Sequence, residues 1–311
     1  MRYLITGGAG FIGSNIAATL VERGETVRII DNFSTGFRSN IQDMLPRIEL
    51  IEGDIRSYHL VREAVEGMDA ILHQAALPSV PRSVKDPLTS NDVNITGTLN
   101  VLYAAKDAHV KRVVYASSSS VYGDTPELPK HERMTPRPLS PYAVSKLAAE
   151  QYCQVFARNY GLETVALRYF NVFGPRQNPD SQYAAVIPRF IRMMMRGESP
   201  TVFGDGEQSR DFTFVQNTVD ANLRAAVADC PPGTVVNCAC NERTTLNTLV
   251  QRINGLLGTN VQPVYEAPRA GDILHSLGAI IMAEQLIGYR PGVSFEEGLR
   301  STVEWYRGNA H

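Results

Sequence analysis

Tyr142 and Lys146 stand four positions apart in Tyr-Ala-Val-Ser-Lys, a spacing that puts a phenol and an ammonium on one face of a helix. An ammonium beside a phenol favours the phenolate, which is a general base. To act at neutral pH, a tyrosine must titrate about 3 units below its ordinary value of about 10, which takes roughly 4 kcal/mol of electrostatic help. One neighbouring cation and a positively charged cofactor ring supply help of that size. Upstream, the hydroxyl run Ser117-Ser118-Ser119-Ser120 follows an apolar stretch ending at Ala116 and offers hydrogen bonds to an oxygen losing its proton. A third element is Gly7, Gly10 and Gly13 in G-x-x-G-x-x-G spacing, with Phe11 and Ile12 between the last two. Glycines there permit a tight turn and close approach of a pyrophosphate, and the helix start that follows presents free N–H groups to it. Each pattern alone is common. Their order in one chain describes a dinucleotide-dependent site.

Positioning these groups requires strands and helices in alternation, and the periodicity supplies them. Strands are expected at Tyr3–Thr6, Thr26–Asp31, Ile48–Glu52, Ala70–Gln74, Arg112–Ser117 and Thr164–Tyr169, with helices at Phe11–Arg23, Tyr58–Val65, Leu88–Ala108 and Pro141–Tyr160. Repeated βα units imply an α/β fold, a doubly wound parallel sheet of the Rossmann kind. Asp31 ends the second strand, followed by Asn32-Phe33-Ser34 with no adjacent arginine. A carboxylate there accepts from a ribose hydroxyl and repels a 2′-phosphate, which favours NAD over NADP. Asp54 and Ile55 follow the third strand, where a carboxylate meets an adenine amino group. His73, Gln74, Ala75 and Ala76 follow the fourth; the small residues leave room for a dinucleotide, and His73 reads as a packed histidine. Beyond Asn171 the Pro/Gly punctuation rises. The expected organisation is a dinucleotide-binding domain at 1–171, with 212–240 packing back on it, and a smaller substrate lobe from 172–211 and 241–311.

The 311 residues include 30 basic and 32 acidic side chains, for a net charge of −2, which leaves no electrostatic footprint for nucleic acid or an anionic membrane surface. With 43% apolar and 20% charged residues, the chain can bury a core, which excludes disordered, coiled-coil and collagen-like classes. No apolar run approaches the roughly 20 residues that cross a bilayer. Cys153, Cys230, Cys238 and Cys240 make neither a disulfide framework nor zinc spacing, so no metal is expected. The opening residues run from a strand straight into the glycine loop, and the expectation is a cytoplasmic, reduced protein without a leader.

Together Gly7–Gly13, Ser117–Gly123, Tyr142–Lys146, Arg168-Tyr169-Phe170-Asn171, Gly206–Phe214 and Pro268-Arg269-Ala270-Gly271-Asp272 resemble the extended short-chain dehydrogenase/reductase family, and within it the nucleotide-sugar 4-epimerases. The resemblance spans nearly the whole chain. It implies a catalytic set of Ser118, Tyr142 and Lys146, with Ser118 selected because it lies 24 residues before Tyr142. It further implies a tightly bound NAD, held in addition by Gly36, Asn94, Ala116, Ser117, Tyr169 and Phe170. A UDP-sugar would meet Ser79, Ser118, Ser119, Ser120, Tyr142, Asn171, Gln177, Ala185 and Val186. Arg210 and Arg269 would meet its diphosphate, and Asp272 a ribose hydroxyl. Ser276 stands where epimerases restricted to glucose and galactose carry tyrosine, which implies room for an acetamido group. Related dehydratases and decarboxylases carry a glutamate in the serine run, where this chain has Ser119-Ser120. The resemblance also implies a homodimer through helices near 88–108 and 141–160. Other readings are a nucleotide-sugar oxidoreductase that exchanges NAD freely, and a non-catalytic NAD-binding regulator.

Overall fold

The structure is a computed structural model describing residues 1–179, 185–268 and 274–309. Its first half alternates strand and helix: β1 (Arg2–Thr6), α1 (Phe11–Glu22), β2 (Thr26–Asp31), β3 (Ile48–Glu52), α2 (Tyr58–Val65), β4 (Ala70–His73), α3 (Val80–Lys85), α4 (Pro87–Asn91), α5 (Gly97–Asp107), β5 (Arg112–Ser118), α6 (Pro141–Tyr160) and β6 (Glu163–Tyr169). The second half adds β7 (Val172–Phe173), α7 (Val186–Met195), β8 (Thr201–Phe203), β9 (Ser209–Arg210), β10 (Thr213–Phe214), α8 (Val215–Val227), β11 (Thr234–Cys238), β12 (Thr244–Thr245), α9 (Leu246–Leu257), β13 (Val264–Glu266), α10 (Ile281–Ile287) and α11 (Phe295–Gly308).

Seven parallel strands form one sheet in the order β11-β6-β5-β4-β1-β2-β3. The winding reverses between β1 and β4, and a crevice opens there at the carboxyl ends of the strands. Helices cover both faces, so the middle positions of the central strands are apolar on both sides, and polar residues such as Thr6, His73, Ser117 and Arg168 gather toward the carboxyl ends. Ile5, Leu72, Val114 and Leu167 face α1 and α8 in one core. Their neighbours Leu4, Ile71, Val113 and Ala166 face α2, α5 and α6 in another. α8 and β11 bring the chain back to this sheet after its first excursion. A third core, built on Phe173, Phe190, Phe212, Phe214 and Phe295, joins α7, α9 and α11 beside the strand ends.

Several boundaries differ from the sequence reading, most by one residue: β1 starts at Arg2, α1 ends at Glu22, β5 runs to Ser118 and β6 starts at Glu163. β4 ends at His73: the Gln74 N–H still reaches the Thr6 carbonyl of β1 at 3.1 Å, and the next N–H, of Ala75, goes to the Thr6 hydroxyl instead. β11 ends at Cys238, and the N–H groups of Cys240 and Asn241 go to the buried Asp211 carboxylate at 2.8 and 3.0 Å. The helix expected over Leu88–Ala108 is α4 and α5 joined by a π-helical turn at Asp92–Thr96. That wider turn swings Asn94 inward, where it brackets Leu77: Oδ1 accepts from the Leu77 N–H at 2.8 Å and Nδ2 donates to its carbonyl at 3.2 Å.

Candidate active site

The site is built where β1, β4, β5 and β6 end. α1 starts at Gly10 without a side-chain cap, so its first N–H groups remain for a ligand. A Cβ on Gly13 would sit 2.2 Å from the Gly7 carbonyl oxygen, and one on Gly7, at φ +68°, would sit 2.8 Å from the Ala75 backbone. Only glycine lets the helix start close on the strand turn. Asp31 Oδ2 accepts from the Ala9 N–H at 2.9 Å and Oδ1 from the Phe33 N–H at 2.8 Å. The carboxylate is thus anchored at the edge of the cleft, and burial raises its pKa. Arg38, in the turn after Asp31, pairs with Glu52 and lies over the Phe33 ring at 4.3 Å. Asp54 accepts from Asn32 at 2.7 Å and from Arg56; mainly because of Arg56, its carboxyl is held down at about 2.

A continuous cleft is lined by Gly7, Gly10–Gly13, Asp31, Asn32, Ser34, Asp54, Ile55, Gln74–Ala76, Ala116, Ser117, Tyr142, Lys146 and Tyr169. Those residues, expected from sequence, meet on one surface, with Ile30, Thr35, Gly53, Leu77, Pro78 and Val93 completing it. Four expected cofactor residues do not line it. Phe33 turns away in a left-handed conformation at φ 55°, and Gly36 packs on Ala9. Asn94 is buried behind the Leu77 loop. Phe170 is fully buried and opens instead onto a second hollow.

Behind the cleft, a saturated polar chain fixes His73. The Ala75 N–H donates to Thr6 Oγ1 at 3.1 Å, and Thr6 Oγ1 meets His73 Nδ1 at 2.6 Å. His73 Nε2 meets Thr98 Oγ1 at 2.9 Å, and Thr98 donates to the Asn94 carbonyl at 2.6 Å. Because Thr98 spends its proton on Asn94, His73 donates from Nε2 and accepts at Nδ1. Burial and then Lys146 bring its pKa to about 3. This is a structural histidine, as the sequence reading has it.

The expected catalytic set is divided between the two spaces, with Tyr142 and Lys146 on the cleft and Ser118 on a second hollow. Ser140 caps α6 by accepting from the Ala143 N–H, with Pro141 in the first turn. Ser83 of α3 accepts the Tyr142 N–H at 3.0 Å. Lys146, one turn on, donates Nζ to the Ala116 carbonyl at 2.8 Å and lies 5.9 Å from the Tyr142 ring centroid. Burial lowers this ammonium to about 7. Burial also raises the Tyr142 phenol, and a hydrogen bond with Ser118 draws it back down. β5–β6 pairing sets Ser118 opposite Tyr169.

The second hollow is lined by Ser118, Ser119, Ser120, Asn171, Arg210 and Ser276, all expected, together with Tyr122, Gly123, Lys130, Tyr169 and Phe170. Lys130 escaped the sequence reading because it belongs to no motif. It arrives through bonds of its backbone with Leu277 and Ala279 at 2.7 and 2.8 Å. Five expected substrate residues among the described ones stand outside the hollow, and the first of them, Tyr142, lines the cleft instead. Ser79 caps α3 by accepting from the Arg82 N–H. Gln177 turns its amide to the Val172 carbonyl at 3.2 Å. Ala185 precedes α7, and Val186 packs on the lobe core. Arg269 and Asp272 lie outside the described residues. Among the described residues no group of three or more His, Cys, Asp or Glu is placed to hold a metal, and no helix is long and apolar enough to cross a membrane.

The model of the NAD dependent epimerase/dehydratase family matches residues 3–239. A putative UDP-glucose 4-epimerase of Methanocaldococcus jannaschii is 38% identical over 308 residues, 98% of each chain. A UDP-N-acetyl-α-D-glucosaminuronate decarboxylase of Bacillus cytotoxicus is 34% identical, again over 98% of each chain. Among solved structures, the UDP-N-acetylglucosamine 4-epimerase of Methanobrevibacter ruminantium, in complex with UDP-N-acetylmuramic acid, is similar at a TM-score of 0.95 and 41% identity, covering 99% of this chain and 98% of that one.

Proposed function

The chain belongs to the NAD-dependent epimerase/dehydratase family, and we propose that within it the protein is a UDP-hexose 4-epimerase that interconverts UDP-N-acetylglucosamine with UDP-N-acetylgalactosamine and UDP-glucose with UDP-galactose. The observation that carries this reading is the composition of the second hollow. Among the described residues its lining contains hydroxyls, an amide and cations but no carboxylate. Elimination of water from a sugar needs an added acid and base; epimerisation at C4 needs one proton carrier, which Tyr142 provides.

The glycine turn, Asp31 and Lys146 would hold NAD, which when bound would supply the hydride-transfer chemistry at C4. The chain's own groups manage the proton. Tyr142 Oη takes the proton of the sugar 4-hydroxyl, while Ser118, with one proton to give, donates to one oxygen of that pair. Lys146, protonated, lowers the cost of the phenolate. In the second half the proton goes back from Tyr142 to the oxygen on C4. Arg210, at the rim of the hollow, suits a diphosphate by its planar fork of donors. Ser276, on the wall and tied through its N–H to the Ser209 carbonyl at 3.0 Å, is short enough to admit a 2-acetamido group.

The same reading takes the exposed Val84, Leu88, Tyr103, Val144 and Val155 on α3 to α6 as the face that pairs with a second copy. Incubation with each of the four UDP-sugars and chromatographic separation of the isomers tests the activity. Appearance of the C4 epimer without net NADH is the expected result. Stoichiometric NADH release would replace the epimerase with a net oxidoreductase.

A further inference from the structure

Tyr169 is the one described residue that lines both the cleft and the second hollow, so its side chain is the partition between the two spaces. Its backbone is fixed by pairing on both sides, with Ser118 of β5 and Cys238 of β11, which leaves only the side-chain torsions to be set. A closed ring of polar groups at the hydroxyl sets them. Asn222, fully buried on α8, places Nδ2 2.8 Å from the Thr218 carbonyl and 2.7 Å from Tyr169 Oη. A backbone carbonyl only accepts, so this amide cannot be turned over, and the phenol receives a proton from Asn222. The phenol's own proton goes to Gln74 Oε1 at 3.0 Å, with Asn222 Oδ1 also in reach at 3.1 Å. Gln74 Nε2 closes the ring by donating to Asn222 Oδ1 at 3.0 Å. That oxygen too only accepts, so the Gln74 amide is fixed as well. Burial raises the pKa of the Tyr169 hydroxyl, and its proton stays in the ring. Asn222 is not among the described residues that line either space, so its influence on them passes through its two partners.

We propose that Asn222 is a positioning residue that, together with Gln74, holds Tyr169 as a fixed wall and keeps its side chain out of both the cofactor cleft and the second hollow. A phenol without these partners can turn about its side-chain bonds into either space. A protein whose binding-competent form is only part of the population loses apparent affinity by that fraction; the hydrogen-bonded ring removes the loss before any ligand arrives. Its effect therefore falls on binding and not on the chemical step, because once the cleft is filled the side chain is held from that side. This role deepens the epimerase reading, and only its turnover arm rests on that reading.

The test is a double-mutant cycle over Asn222→Leu and Tyr169→Phe, read first as the calorimetric affinity of the NAD-free protein for NAD. Each single variant should bind NAD about fivefold more weakly, the worth of one ordinary hydrogen bond. The double variant should bind no more weakly than Tyr169→Phe alone, because the effect of Asn222 passes through the phenol. Equal fold losses from Asn222→Leu on both backgrounds, or an affinity within twofold of the parent in that variant, would overturn the proposal and leave Asn222 as a packing residue of α8. If Asn222→Leu does not fold, Tyr169→Phe decides: it keeps the aromatic ring, and parent-like NAD affinity in it overturns the proposal. The second readout is isomer formation with added NAD. The NAD concentration for half-maximal turnover should rise about fivefold in Asn222→Leu, while kcat at saturating NAD stays within twofold of the parent. A kcat loss that saturating NAD does not restore overturns the proposal. Parent inactivity on every UDP-sugar counts against the epimerase reading alone, and the calorimetric arm then decides.

Discussion

Replacing Glu150 by leucine removes one partner from an ion pair sealed off from water on both sides. Glu150 lies on α6 one turn beyond Lys146, and its side chain is 1% exposed; that of its partner Arg168, on β6, is 4% exposed. Oε1 accepts from Arg168 Nη2 at 2.6 Å, and Oε2 accepts from Arg168 Nε at 3.0 Å and from Ser117 Oγ at 2.8 Å. The pair thus ties α6 to the ends of β5 and β6. Breaking a buried pair from one side leaves an uncompensated charge and costs about 3–5 kcal/mol. Unfolding entropy of about 2.1 cal/mol/K per residue gives about 0.65 kcal/mol/K for 311 residues, so Tm should fall by about 5–8 °C. The double variant Glu150→Leu, Arg168→Met removes both charges at similar volume. It should recover most of that loss, short of about 1–3 kcal/mol for the Ser117 hydroxyl left without its acceptor. Scanning calorimetry of parent, both single variants and the double variant reads this directly. A double variant that melts as low as Glu150→Leu would refute the reasoning, because the stability would then come from packing and not from charge pairing.

Other outcomes follow from the same geometry. Tyr142→Phe should retain NAD and lose roughly 10²–10⁴-fold in turnover, measured by isomer formation; near-normal turnover would remove the proposed proton carrier. Gly13→Ala drives a methyl to 2.2 Å from the Gly7 carbonyl oxygen, and overpacking costs ~1–3 kcal/mol, so calorimetric affinity for NAD should weaken by about 5- to 150-fold while the far-ultraviolet spectrum is kept. Ser276→Tyr should abolish conversion of the N-acetylated pair and spare UDP-glucose; equal losses on both pairs would mean that the serine supports the fold. His73 titrates at about 3 in the folded chain, below its ordinary value of about 6.5. The unfolded chain therefore binds the extra proton first, and stability present above pH 6.5 is lost as pH falls toward 3. Between pH 6.5 and 5 this amounts to about 2 kcal/mol; in denaturant titrations His73→Gln should flatten that part of the profile, and an unchanged slope would show that other groups carry it.

Features that depend on near neighbours in the chain were legible without the structure. The alternation of apolar strands and amphipathic helices follows from backbone periodicity, so the doubly wound sheet and its glycine turn could be read directly. Tyr142 and Lys146 share a helical face because of a four-residue step. Asp31 ends a strand whose length the apolar run itself marks. Other features depend on chain segments far apart, and local pattern is silent there. Lys130 reaches the second hollow through its backbone contacts with Leu277 and Ala279, more than 140 positions on. Asn94 stands behind the wall of the cleft, where a π turn lets it bracket both backbone groups of Leu77. Gln177 sits in a suggestive motif, yet Val172 claims its amide. Ser118 and Ser120 are equal letters in a run of serines; the fold makes Ser118 the cap of a 3₁₀ turn whose Val121 and Tyr122 are buried and held from β11 by Asn237. A hydroxyl's direction is set by whatever groups surround it on all sides, and only the folded chain brings those groups together.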